Sequence, residues 1–152
     1  FPCLVEPFYQ KVMDFALEFD MKDDGTAHYL GLNLFQTKGA SYVGNILATE
    51  GEKEQILCKW VPVESLRLCR EHVGSIVSEQ LEGHYVGPFG IDLMVVKSHP
   101  SVGGSSEYGI RVCELNLRRT MGHVALALSR FVHGLMAVTF DEDHDHLEVN
   151  AQ

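Results

Sequence analysis

Three stretches near the start of the chain settle most of what it can fold into. Val12 to Met21 (VMDFALEFDM), His28 to Thr37 (HYLGLNLFQT) and Ser41 to Ala48 (SYVGNILA) are apolar, partly alternating and of strand length. Asp23-Asp24-Gly25 separates the first two and Lys38-Gly39-Ala40 the last two. Gly and Asp accept the backbone angles of a tight reversal. Strands joined so closely pair antiparallel, because a parallel pair needs a long crossover. The first half therefore reads as a meander. Phe89 to Lys97 (FGIDLMVVK) and Gly109 to Leu117 (GIRVCELNL) are two more strands, joined by a Gly/Ser-rich loop, His99 to Tyr108, expected to be mobile.

Helical spacing appears in two places. Within Val63 to Gly83, after a polar Glu50–Lys53 segment, Leu66, Val73, Ile76, Val77 and Leu81 recur near the helical period, and Gly83 suits a helix end. Thr120 starts another helix, with Met121, Val124, Leu126, Leu128 and Phe131 as its apolar stripe to about His133. Phe1 to Glu6 is a short apolar opening stopped by Pro7, and Leu135 to Phe140 a last strand. The expected architecture is α+β, an antiparallel β-sheet with helices packed on it. Residues 1–140 form the domain, and 141–152 an acidic, flexible tail.

With 152 residues, 45% of them hydrophobic and 22% charged, the chain supports one core. No run approaches the roughly 20 apolar residues that a membrane crossing needs. Acids outnumber bases 21 to 12, for a net charge of −9. Five of the acids lie at Asp141, Glu142, Asp143, Asp145 and Glu148. That balance excludes a nucleic-acid partner, which calls for a basic face. Cys3, Cys58, Cys69 and Cys113 contain no CxxC pair and form no secreted disulfide pattern. They read as reduced, buried thiols of a cytoplasmic protein. The chain opens at Phe1 in an apolar stretch without an initiator Met, as a piece of a longer polypeptide would.

Chemistry is concentrated in the two later strands. Asp92 interrupts an otherwise apolar run, and Glu114 and Asn116 interrupt RVCELNL. Residues two apart on a strand share a face, so Glu114 and Asn116 project together. If the two segments pair, Asp92 sits opposite them. Buried like charges this close call for a counter-ion, and an all-oxygen anionic set suits Mg²⁺. The plainer reading makes Glu114 and Asn116 ordinary solvent-facing residues of a half-exposed strand. Arg118 continues the same face and carries the fork that holds phosphate or carboxylate. Thr120-Met121-Gly122 opens a helix whose first amides can receive an anion. The Asp141–His146 run (DEDHDH) reads as a solvated tail, His84, His99 and His123 as surface or helix-end groups, and Cys113 as buried and inert.

GPFGIDLMVV followed by CELNLRRTMGH resembles the C-terminal part of the ATP-grasp fold, where a strand acid and an E-x-N strand hold the magnesium of MgATP. The E-x-N-x-R-x-T-M-G form is similar to that of bacterial ATP-grasp proteins of unassigned substrate. Leu4-Val5-Glu6-Pro7-Phe8 resembles the adenine hinge between the two ATP-grasp subdomains, and Asp14 to Phe19 the strand after it. The resemblance spans roughly Leu4 to Phe131. It implies a ligase in which ATP phosphorylates a carboxylate and an amine, or less often a thiol, attacks the acylphosphate. It further implies Asp92, Glu114 and Asn116 as ligands of Mg²⁺ (Mn²⁺ as an alternative ion), Arg118 in the catalytic role at the transferring phosphoryl group, and Glu6 at the adenine. Lys38 is a phosphate or carboxylate contact in this reading and an ordinary solvated turn lysine in the plainer one.

Two features depart from the family. The preceding subdomain and substrate domain are missing, and Met13 stands where several relatives have arginine. The fragment alone is therefore expected to bind MgATP weakly and to be inactive, the partners it lacks being the N-terminal domains of its parent chain. The alternative is a non-catalytic nucleotide- or protein-binding module of the same descent, and a third reading is an unrelated α+β structural domain. Apolar surface at Phe1–Phe8 is expected to favour homo-oligomers.

Overall fold

The computed structural model describes residues 3, 5, 7–39, 41–98, 107–131, 136–141 and 146–151. The elements run β1 (Lys11–Met21), β2 (Ala27–Lys38), β3 (Ser41–Leu47), α1 (Glu50–Leu57), α2 (Val63–Leu81), β4 (Gly87–Lys97), β5 (Tyr108–Asn116), α3 (Met121–Ser129), β6 (Met136–Asp141) and β7 (His146–Ala151). All strands join one sheet in the order β5-β4-β1-β2-β3-β6-β7, and every pairing is antiparallel. The α+β expectation holds. The β1–β2 reversal forms because Gly25 takes φ +80 while Asp24 Oδ1 accepts from the Thr26 N–H and hydroxyl at 3.0 and 2.6 Å.

Strand alternation divides the sheet into two unlike faces. On one, Phe15, Leu17 and Phe19 of β1 meet Leu32 and Leu34 of β2 and Phe89, Ile91 and Leu93 of β4, all buried. Phe19 stacks on Phe89 with ring centroids 5.1 Å apart. Leu57 of α1 and Leu66 of α2 close this core. Gly74 lets α2 come close, since a Cβ there would lie 3.0 Å from the Phe19 ring. Helix α3 packs on the opposite face, against β2 and β3.

Some elements differ from expectation. The polar Glu50–Lys53 segment, which the sequence places ahead of the first helix, is itself the first half of α1, nucleated by a capping box in which Thr49 and Glu52 satisfy each other's backbone N–H. Residues 146–151, expected in the tail, form β7 beside β6. The reason is visible in Leu147 and Val149, a period-two pattern masked by acidic neighbours. The acidic run at 142–145 lies outside the described residues, as does 99–106 of the expected mobile loop. The α3 stripe is also rotated: Gly122, His123 and Ala125 are buried, while Phe131 is 81% exposed beyond the helix end. Ile76 likewise faces out from α2.

Helix α1 has a second task. β3 pairs with Leu34–Lys38 of β2, so among the described residues the earlier half of β2 has no strand on that side. There the Leu32 N–H donates to the Glu50 carboxylate at 2.9 and 3.0 Å, and the Leu32 carbonyl accepts from Lys53 Nζ. Lys53 is 2% exposed, and burial holds its ammonium below the ordinary value against the opposing pull of Glu50. Two side chains thus supply the donor and acceptor that a neighbouring strand would have supplied.

Candidate functional site

The second face of the sheet is polar where the first is dry. Register places Asn33, Ala16, Asp92 and Glu114 side by side across β2, β1, β4 and β5. The next row is Gly31, Glu18, Gly90 and Asn116. Ala16 is the small residue of the first row and leaves room above the strands. The result is a cavity of about 490 Å³, lined by Ala16, Glu18, Asn33, Asp92, Glu114 and Asn116 of these rows, by Phe35, Thr37 and Tyr42, and by Thr120, Met121 and Gly122 at the start of α3.

Four residues singled out by the sequence line this cavity together: Asp92, Glu114, Asn116 and Arg118. Asn116, 8% exposed, donates from Nδ2 to Asp92 Oδ2 at 3.1 Å and accepts from Arg118 Nη2 at 3.1 Å on Oδ1. Burial pushes the Asp92 carboxyl up, and the negative charges of Glu18 and Glu114 add to it. The Asn116 hydrogen bond and Arg118 pull the other way, leaving Asp92 at about 6. Glu114 and Arg118 are exposed toward the mouth. Lys38 is exposed at the end of β2 and does not line the cavity. Glu6 lies outside the described residues.

The sequence gives Glu18, Asn33, Tyr42 and Asn45 no site role, and the structure adds them to this face. Glu18 is 1% exposed, and its Oε2 accepts from Thr120 Oγ1 at 2.9 Å and lies 3.0 Å from His123 Nδ1. The other ring nitrogen of His123 is 3.2 Å from the Phe19 carbonyl oxygen. Burial works against a charge on this ring, but the hydrogen bond and charge of Glu18 outweigh it and hold His123 above the ordinary imidazole value. His123 is therefore a helix-end group, the third residue of α3 and part of its capping box, but it is buried against the sheet and not at the surface. Gly90 and Gly122 make the room: a Cβ at either would lie 2.5 or 1.7 Å from a Glu18 oxygen. Beyond Glu18, the Tyr42 hydroxyl donates to Asn45 Oδ1, and Asn45 Nδ2 donates to Asn33 Oδ1 at 2.8 Å. Burial pushes the Tyr42 hydroxyl up to about 12.

Cys113 also differs from expectation, being exposed and part of the cavity wall. Its strand is the sheet's edge, so apolar neighbours in sequence do not bury it. Cys3 is exposed, and Cys58 and Cys69 are only partly buried. Among the described residues no helix is long and apolar enough to cross a membrane.

This sheet and its cavity define an ATP-grasp-like fold. A protein assigned to the ATP-grasp superfamily from Archaeoglobus fulgidus superposes with TM-score 0.55 at 14% identity, over 95% of this chain and 47% of that one. N5-carboxyaminoimidazole synthetase from Staphylococcus aureus gives TM-score 0.53 at 10% identity, over 87% and 35%. The same enzyme complexed with ADP gives 0.54 at 10% identity, over 88% and 36%. The chain thus spans less than half the length of these solved structures. No protein-family model matches the sequence, and no curated protein matches it by sequence.

Proposed function

We propose that this chain is the C-terminal, nucleotide-facing part of an ATP-dependent carboxylate–amine ligase, with the rest of the ATP clamp supplied by N-terminal domains. The observation that carries the reading is the convergence of Asp92, Glu114, Asn116 and Arg118 on one cavity of an ATP-grasp-like fold. In this reading the γ-phosphoryl group of ATP passes to a substrate carboxylate, giving an acylphosphate and ADP. An amine, or a thiol, then attacks the acyl carbon and inorganic phosphate leaves.

The donor set fits Mg²⁺ in kind. Asp92, Glu114 and Asn116 would hold it through hard oxygens, as in sites where phosphate and water complete the shell. Among the described residues no group of three His, Cys, Asp or Glu side chains could hold a metal unaided, and magnesium asks for only one or two carboxylates. The raised Asp92 points the same way, since burial beside Glu18 and Glu114 leaves negative charge that a cation would relieve. When bound, the ion would draw electron density from the phosphate oxygens. Arg118, now donating to Asn116 Oδ1, offers a fixed positive charge to the transferring group. Glu6 would mark the adenine hinge, and Lys38 would make an outer phosphate or carboxylate contact.

The test is MgATP binding and ATP turnover by the longest polypeptide containing this sequence, beside Asp92→Asn and Glu114→Gln. Each substitution is expected to lower Mg²⁺-dependent turnover by about 100-fold or more while the fold persists. A folded protein that neither binds MgATP nor responds to either change would sink the ligase reading.

A further inference from the structure

Residues 30–33 of β2 have the weakest strand pairing near the cavity. On the β1 side the register slips, with Glu18 opposite Gly31 and Phe19 opposite Tyr29, so Leu30 stands opposite no β1 residue. On the other side, pairing with β3 begins at Leu34. Yet this stretch brings Asn33 into the cavity lining and sets Gly31 opposite Glu18. Gly31 is also where α3 meets the sheet, since a Cβ there would lie 2.8 Å from Leu126 Cδ2. A segment bulged on one edge and unpaired on the other shifts easily unless it is braced.

Helix α1 supplies the brace through two side chains. Glu50 accepts the Leu32 N–H on its carboxylate, and Lys53 Nζ donates to the Leu32 carbonyl at 2.5 Å. Both are themselves anchored. The Tyr29 hydroxyl donates to Glu50 Oε1 at 2.5 Å, and the Arg70 guanidinium of α2 lies over the Tyr29 ring, 4.9 Å from its centroid. Lys53 is buried, with Glu50 Oε2 3.9 Å from its Nζ. Burying an ammonium costs more than burying another apolar group would, and Leu57 already ties α1 to the core. What the charged pair adds is direction, because a donor and an acceptor on one residue fix its peptide groups in the plane of the sheet. Neither side chain lines the cavity. Even so, Glu50 Oε2 lies 3.3 Å from the same Cβ position over Gly31 that Leu126 approaches. The helix that braces β2 and the helix that borders the cavity meet at one glycine.

We propose that Glu50 and Lys53 are positioning residues for the cavity: standing in for a strand, they hold residues 30–33 in the sheet and so place Asn33 and the Gly31 seat of α3. Neither touches the ligand. Their effect reaches it through Asn33 and through the first turn of α3. The inference rests on the ligase reading only for the identity of that ligand, MgATP.

The test compares Lys53→Met, which keeps the stem and removes the donor, with Glu50→Ala, Glu50→Gln and Leu57→Ala. Leu57→Ala loosens α1 in the core while leaving both contacts to Leu32. Nuclear magnetic resonance on the isotopically labelled full chain, without nucleotide, reads the first effects. Exchange of the Leu32 amide is expected to be at least about tenfold faster in Glu50→Ala. In Glu50→Ala and Lys53→Met the Asn33 side-chain amide and the Gly31, Gly122 and Leu126 backbone resonances shift, and MgATP binds about tenfold more weakly. Glu50→Gln keeps an acceptor for Leu32 and stays within about threefold of the parent affinity. Leu57→Ala lowers stability but leaves these resonances and the affinity in place. Unshifted cavity resonances in folded Glu50→Ala and Lys53→Met overturn the proposal, as does an equal response in Leu57→Ala. Loss of folding in both also overturns it, since the pair would then serve the fold alone. A parent chain that binds no MgATP counts against the ligase reading, and the nucleotide-free resonances still judge the positioning.

Discussion

The two faces of β1 and β4 are built from alternate residues of the same strands, yet their side chains do opposite things. Phe15, Leu17 and Phe19 meet Leu93, Ile91 and Phe89 on the dry face. One residue away in each case, Asp14, Ala16 and Glu18 share the other face with Asp92. The dry face fixes register, because a one-residue slip would turn the carboxylates into the apolar core and the phenyl rings onto the polar face. The polar face can then hold charges that weaken the fold, since its neighbours have already determined the pairing. Stability and chemistry are separated here by strand alternation and not by distance.

The largest way to break this comparison is on the dry face. Phe89→Ala removes a fully buried ring stacked on Phe19 and is expected to cost about 3–5 kcal/mol. Against a typical domain stability of roughly 5–15 kcal/mol, denaturant midpoints should show a large loss. A loss below about 1 kcal/mol would mean that the face is not the structural one.

On the polar face, Gly122→Ala drives a methyl group into the Glu18 carboxylate and is expected to cost about 1–3 kcal/mol. Combining it with Glu18→Ala should recover part of that loss, a coupling that a double-mutant cycle measures. Strictly additive losses would show that Glu18 does not occupy this space.

The smallest effect has the opposite sign. Asp92 is raised from 3.8 to about 6, so the folded chain binds more protons than the unfolded chain between those values. Its contribution to stability is therefore present in acid and lost as pH rises through that window. Asp92→Asn removes the repulsion and is expected to stabilise the chain near neutral pH by about 1–2 kcal/mol, after allowing for solvent screening. The gain should shrink as pH falls toward 4, roughly the ordinary carboxylate value. Thermal melts across that range would refute the idea if Asp92→Asn were less stable at neutral pH.

The division between the faces also explains what the sequence revealed. Strands β1 to β5 were legible because apolar runs and turn residues are local signals. Asp92 stood out for the same reason, as a charge inside FGIDLMVV. Glu18 in FALEF and Asn33 in LGLNLF carry that signal too, but polar residues are ordinary in partly alternating strands. Only the docking of α3 shows that they face a cavity. His123 was illegible because its partner lies on β1, far along the chain. Helix α1 was hidden by its low apolar content, although Thr49-Glu50-Gly51-Glu52 spells a capping box. The exposure of Cys113 is illegible because sequence does not say which strand lies at an edge.

Glu50 and Lys53, which complete the hydrogen bonding of Leu32, also bear on how the chain behaves among other chains. A row of unpaired backbone groups in mid-sheet would be a template on which a second molecule could add a strand, the first step toward aggregation. By occupying the Leu32 N–H and carbonyl with side chains, α1 interrupts that row where β2 leaves β3, while β3 goes on to pair with β6. A carboxylate and an ammonium cannot propagate a ladder as backbone does, so growth stops at the helix.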